Sequence, residues 1–275
     1  MFNTKKPIVH NLVAQVIPRP EFIGTLHDDH TAQSLGYPAA LVPGIDVYAY
    51  LARLVFESWG PDWLVKGRLI TKSLRPVYDG DSLVVYASPV QVIDNKKTVE
   101  LAVHNATGTM VASAVASLSD NANLPPELDD FPIVERTAEI PSGAPTALYE
   151  GQQFSSLSET VSDAQNILLN KEFLEPGAFY EQQGIVHPAY LQRIALRNAH
   201  SSFSHATPPI FISTDTDNFD SVKVGESIDT PGMITRLWER KGHHYMESLQ
   251  LVVADGIRPI MLIRRITIYQ ARQSI

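Results

Sequence analysis

The chain of 275 residues contains no cysteine, which excludes disulfides, thiolate catalysis and Cys-rich zinc or iron–sulfur centres. Positive charge is in short supply. Lys and Arg number 22 against 30 Asp and Glu, a formal charge of -8, so nothing offers the basic face that a nucleic-acid backbone requires. No apolar run reaches the roughly 18 residues of a membrane span. The opening MFNTKKPIVHNL lacks the apolar core of a signal peptide, and the expectation is a cytoplasmic protein with no membrane partner. Gly-rich phosphate loops are missing, as is a G-x-S-x-G elbow, which argues against a redox cofactor and against an α/β-hydrolase thioesterase. No cofactor and no metal are expected. What is present is ample core material, with 44% hydrophobic and 19% charged residues, the balance of a globular protein.

The most informative feature is an internal duplication. Gly80-Asp81-Ser82-Leu83 recurs as Gly225-Glu226-Ser227-Ile228, 145 positions later. Lys96 and Lys241, each in a basic turn, are also 145 apart, and Thr107-Gly108 matches Asp255-Gly256 at 148. Upstream, LVPGIDVYAYLARLVF aligns with IVHPAYLQRIALRN, setting Pro43 against His187. Four anchors in one order mark two copies of a folding unit. Residues 121–150, rich in Pro, Asp and Asn, read as a linker between a unit over 1–120 and another over 151–275.

Each copy predicts a helix followed by a run of strands. Ile45 to Trp59 is apolar almost all round, its charges confined to Asp46, Arg53 and Glu57, and so reads as a buried helix. Ala189 to Ser202 puts Leu191, Ile194, Ala195 and Asn198 on one face, and Arg193, Arg197 and His200 on another. The stretches that follow, such as SLVVYASPVQVI and PIMLIRRITIYQ, are strand-like and are separated by turns suited to antiparallel hairpins. A helix with almost no polar face must be wrapped by its sheet. The fold class is therefore α+β, a double hot dog: two tandem units, each a long helix wrapped by an antiparallel sheet, with the sheets joined edge to edge.

The segment HDDHTAQSLGYPAALVPGIDVYAYL, His27 to Leu51, resembles the MaoC-like and (R)-specific enoyl-CoA hydratase superfamily. There a stretch of the form D-x-N-P-x-H-x-D-P-E-x-A-x-x-x-G-F-x-x-P-I-x-H-G precedes the hot-dog helix. Ala32, Gly36, Tyr37 and Gly44 fall where that pattern has A, G, F and the last G. RKGHHYMESLQLVVADG followed by RPIMLIRRITIYQ is similar to the C-terminal half of two-hot-dog proteins of this type. The resemblance implies acyl thioesters of coenzyme A or a carrier protein as substrates, and hydration or dehydration as the reaction. It also implies a catalytic Asp with a His five residues later. Alignment through Ala32 puts Leu26 at that His, with His27 one residue away, and Pro43 stands where the H-G motif has its His. The pattern at the helix start of hydroxyacyl-ACP dehydratases is met by Gly36 and Ala49 in place of its His and acid.

Three groups carry the candidate chemistry. His187 precedes Pro188 at the mouth of the second helix, where the dipole biases the imidazole toward the neutral form of a general base. His27 and Asp28 could assist as a carboxylate–imidazole pair, although Asp28 or Asp29 could equally cap a short helix running to Leu35. For the substrate, Asp46 and Tyr48 on the first helix could face an acyl tunnel, and His243 beside Arg240 and Lys241 could meet a phosphate. Thioester hydrolysis and non-catalytic acyl or partner binding remain open beside hydration. A tandem unit supplies its own pairing, so a monomer and a homodimer of such units are both compatible with the sequence.

Overall fold

A computed structural model describes residues 6–93 and 96–272. The tip of the first basic turn, 94–95, lies outside the described residues. In chain order the elements of the first half are β1 (Ile8–Val13), α1 (Asp29–Ser34), α2 (Gly44–Trp59), α3 (Asp62–Lys66), β2 (Gly67–Ser73), β3 (Ser82–Ala87), β4 (Gln91–Ile93), β5 (Lys96–Asn105) and β6 (Met110–Leu118). The second half carries β7 (Glu159–Thr160), α4 (Asp163–Glu172), α5 (Phe179–Gln182), α6 (Pro188–Ser201), β8 (Ile210–Asn218), β9 (Ser227–Asp229), β10 (Gly232–Arg240), β11 (His243–Ala254) and β12 (Arg258–Gln270).

The strands form one antiparallel sheet in the order β1-β3-β5-β6-β2-β8-β12-β11-β9-β7, with β4 added to β5 and β10 added to β11. The order is a palindrome of the duplication: β1, β3, β5, β6 and β2 correspond to β7, β9, β11, β12 and β8. At the central β2–β8 pairing Ile70 faces Asp215, a residue 145 positions away. That is the repeat offset itself, so an axis relating the copies passes through this pair. The fold is the double hot dog, its two sheets joined edge to edge as the sequence implies. Arg68 clamps the joint, donating from Nε and Nη2 to the two carboxylate oxygens of Asp215 at 2.7 and 2.6 Å.

Helices α2 and α6 lie side by side in the curl of this sheet, and one hydrophobic core runs through both copies. Twelve of the sixteen residues of α2 are buried, as its nearly continuous apolar surface requires. Ala112, Ala114 and Ala116 alternate on the inward face of β6, where short side chains leave room for that helix. Helix α2 ends at Gly60, whose φ of 64° only glycine adopts without strain. Helix α6 begins at Pro188, whose absent N–H costs nothing at the first helical position. The segment between β6 and β7 crosses the outer face of the second copy, where Phe131 packs on Leu251, Val253 and Leu262.

Candidate active site

The loop before α2 is held by its own short polar side chains. Thr25 Oγ1 donates to the Phe22 carbonyl at 2.7 Å and accepts the His27 N–H at 3.1 Å. Asp28 caps α1, its Oδ2 accepting from Thr31 N at 3.0 Å and Thr31 Oγ1 at 2.7 Å. Asp29 accepts the Ala40 N–H at 2.7 Å and so pins the return of the loop. These bonds leave one residue of the HDDH run turned inward. His27 Nδ1 lies 2.7 Å from the Leu41 carbonyl oxygen. A carbonyl can only accept, so Nδ1 carries the proton and Nε2 keeps its lone pair. Among the described residues nothing bonds Nε2. Burial lowers the His27 pKa below its usual value, outweighing the Leu41 bond and the Asp46 charge that favour the cation. The ring is neutral, with its basic nitrogen free.

His27 lines a cavity of about 650 Å³ built by both copies. Pro43, Gly44 and Ile45, the N-terminus of α2, form part of the same wall. Pro43 has no capping side chain, and among the described residues no acceptor meets the N–H of Gly44 or Ile45. Those donors and the positive end of the helix dipole make an anion-stabilising wall. Phe211 of β8 presses on the helix start: a Cβ at Gly44 would come 2.6 Å from Phe211 Cδ1, so only glycine fits beneath that ring. From α6, Arg193, Arg197 and His200 face the cavity, and exposed Arg75 stands at its rim.

Behind the wall lies a buried ion network. Arg193 Nη2 contacts Asp46 Oδ1 at 2.6 Å and Glu172 Oε1 at 2.9 Å, and Arg19 also pairs with Glu172. Asp46 is fully buried; that burial pushes its carboxyl above the usual range, and the Arg193 charge opposes the rise. The network ties the first turn of α2 to the middle of α6 and fixes the two helices beside the cavity.

The second copy closes the corresponding place. The match is set by two parallel bonds, Val42 N–H to the Val77 carbonyl and Val186 N–H to the Val222 carbonyl. Where His27 bonds the Leu41 carbonyl, Asn166 Nδ2 donates to the Ile185 carbonyl at 3.0 Å. Phe173 and Tyr180 pack on His187, with ring centroids 4.9 and 4.6 Å away. Phe56 packs in turn on Phe179 and Tyr180.

The structure therefore separates the residues singled out in the sequence. His187 is 1% exposed and does not line the cavity. Its Nδ1 accepts the Ala189 N–H of its own helix at 3.1 Å, and its Nε2 lies 4.0 Å from Glu175 Oε2. Burial, assisted by Arg193, lowers its pKa to about 3. This imidazole caps its own helix inside an apolar enclosure, away from the cavity. Asp28 is the cap of α1 and lies off the cavity. Asp46 ties α2 to α6 through Arg193 and is not among the residues lining the cavity. Tyr48 is buried, its hydroxyl 3.4 Å from Thr216 Oγ1. His243 begins β11, where its Nδ1 accepts the Arg272 N–H at 3.2 Å, again off the cavity. Of the six, the structure brings His27 alone to the cavity. Arg193 and His200 were not assigned roles, yet their signal was visible: Arg193, Arg197 and His200 repeat at the spacing of one helix face.

No family model matches the chain, and no curated protein matches it by sequence. Solved structures do match in fold. A MaoC domain protein from Chloroflexus aurantiacus, assigned as a dehydratase, superposes with a TM-score of 0.70 at 12% identity, over 98% of this chain and 96% of its own. A Mycobacterium tuberculosis protein described as having a double hot-dog fold gives 0.59 at 14% identity, over 96% of each chain. A Novosphingobium aromaticivorans protein assigned as a thioesterase gives 0.57 at 9% identity, over 97% of this chain and 96% of its own. These likenesses establish the double hot-dog fold across the whole length.

Proposed function

We propose that the protein is an acyl-thioester hydratase or dehydratase with one active site, in the cavity of the first copy. The observation that carries the reading is that a neutral imidazole with a free Nε2 and an uncapped helix N-terminus face the same cavity. Hydration of an enoyl thioester needs a base for water and donors for the oxygen that gains charge. His27 Nε2 takes a proton from water as the oxygen bonds C3. The C2=C3 electron pair moves toward the thioester carbonyl, whose oxygen is held by Gly44 and Ile45 N–H. The imidazolium then returns the proton to C2, and dehydration runs the same steps backwards. Burial of the ring keeps the resting base neutral, and the helix dipole acts in the same sense. Arg75 at the rim suits the anionic carrier of the thioester, coenzyme A or a carrier protein. Both copies contribute to the cavity, so the site needs no second chain.

One observation favours a second reading. Phe22 stands five residues before His27, the spacing that the resemblance gives the catalytic Asp, and its ring packs on His27 with centroids 5.0 Å apart. Thioester hydrolysis requires only a water-activating base and the oxyanion donors, both of which are present.

The test is incubation with 2-enoyl-CoA thioesters of several chain lengths, following the conjugated absorbance and, with a thiol reagent, free thiol. The expected result is loss of absorbance without thiol release, reduced at least ~100-fold in His27→Gln. Thiol release without hydration selects hydrolysis. Thermal stabilisation by acyl-CoA with neither reaction overturns both readings in favour of a binding protein.

A further inference from the structure

His200 stands between two spaces. It lines the main cavity, and with His205 and Arg265 it lines a small void of about 10 Å³. That volume is close to the room one water needs. Three buried polar atoms that find no partner among the described residues belong to residues around this void: His200 Nε2, His205 Nδ1 and Arg265 Nε. Arg265 is fully buried. Its terminal nitrogens donate to Gln250 Oε1 at 3.1 Å and to the Gln192 carbonyl at 3.2 Å, which leaves Nε–H needing an acceptor. His205 Nε2 donates to the His200 carbonyl at 2.8 Å, so His205 Nδ1 holds a lone pair and needs a donor.

A single water meets both demands: it accepts from Arg265 and donates to His205. Its second hydrogen is left for His200 Nε2. The opposite arrangement, with His200 Nε2 protonated, aims a hydrogen at a void already faced by a guanidinium and strands a water hydrogen without an acceptor. Buried donors are rarely left unpaired, whereas a spare lone pair is tolerated better. The proton of His200 therefore sits on Nδ1. Among the described residues nothing bonds Nδ1, which unlike Nε2 is not sealed from solvent.

We propose that a water held by His205 and Arg265 locks His200 in the Nδ1–H tautomer and makes it a hydrogen-bond donor to an oxygen of the substrate in the cavity. The tautomer and the water site rest on the void and the unpartnered atoms of the residues around it; the substrate role rests on the thioester reading above. His27 and His200 then present complementary groups, a lone pair from one and an N–H from the other. Burial, with His205, Arg265 and His27 nearby, holds the His200 pKa well below its usual value, so the donor is uncharged.

Long-range ¹H–¹⁵N NMR of the full chain labelled in histidine reads the tautomer directly, with His200→Asn identifying the signals. The expected spectrum at pH 7 shows a neutral ring protonated at Nδ1. A ring protonated at Nε2, or at both nitrogens, overturns the proposal. His205→Leu removes the water's acceptor and should move His200 toward a mixture of tautomers. If that variant does not fold, the wild-type spectrum still decides. In turnover, Asn offers an N–H near the position of Nδ1, so His200→Asn should stay within about tenfold of wild type while His200→Leu loses roughly 100-fold in kcat/KM. Equal losses in the two variants overturn the donor role. If wild type turns over no thioester, the functional reading fails, and the spectrum still tests the tautomer.

Discussion

Acid should unfold this protein in part through His187, a residue off the proposed site. The folded chain holds that imidazole with a pKa of about 3, against an ordinary value of 6.5. Between those values the unfolded chain binds a proton that the folded chain refuses. Stability from this ring is therefore complete above about pH 6.5 and is lost progressively as pH falls toward 3. At one and a half pH units below the free value the loss is ~2 kcal/mol, and it approaches ~5 kcal/mol at the acid limit. His187→Asn keeps a side chain able to cap α6 and removes the titration. Urea unfolding of wild type and variant at pH 7.5 and pH 5.0 gives four free energies. Wild type should lose ~2 kcal/mol more than the variant over that interval, and comparing the two cancels other groups that titrate there. A pH-independent difference would refute the neutral, sealed ring. A difference of opposite sign would mean that His187 is charged and paired with Glu175, 4.0 Å away.

Gly44→Ala should force Phe211 off the helix start and constrict the cavity, lowering kcat/KM for long acyl chains more than for short ones. Adding Phe211→Ala should restore long-chain turnover, and a loss independent of chain length would contradict the contact. Arg193→Met leaves Asp46 and Glu172 buried without their shared cation, and equilibrium urea unfolding should show a loss of ~3–5 kcal/mol. A loss under ~1 kcal/mol would show that the carboxyls protonate instead of opposing one another.

The duplication made most of the architecture legible. Repeat positions were visible as Gly-Asp and Gly-Glu pairs, and the chain folds so that Ile70 and Asp215, one repeat apart, meet at the centre. Helix α2 was legible because an apolar cylinder has one way to avoid water. That one of Asp28 and Asp29 caps a short helix was legible too, since a cap depends on a few neighbouring residues; which of them does so was not. The choice between His27 and His187 was not. His187 adjoins the central helix of its copy and His27 lies seventeen residues before the other, and what separates them is tertiary: Phe173 and Tyr180 enclose His187, while His27 faces the open cavity. Nor could a motif register place His27, which stands one residue from the family position and is aimed by a bond to Leu41, fourteen residues on. The Asp46–Arg193 pair spans 147 residues and follows only from the packing of α2 on α6.

The most direct measurement is kcat/KM on an enoyl thioester for His27→Gln and His187→Asn side by side. The account predicts a loss of at least ~100-fold in the first and little change in the second. An active His27→Gln, or an inactive but folded His187→Asn, would move the chemistry to the other copy and contradict it.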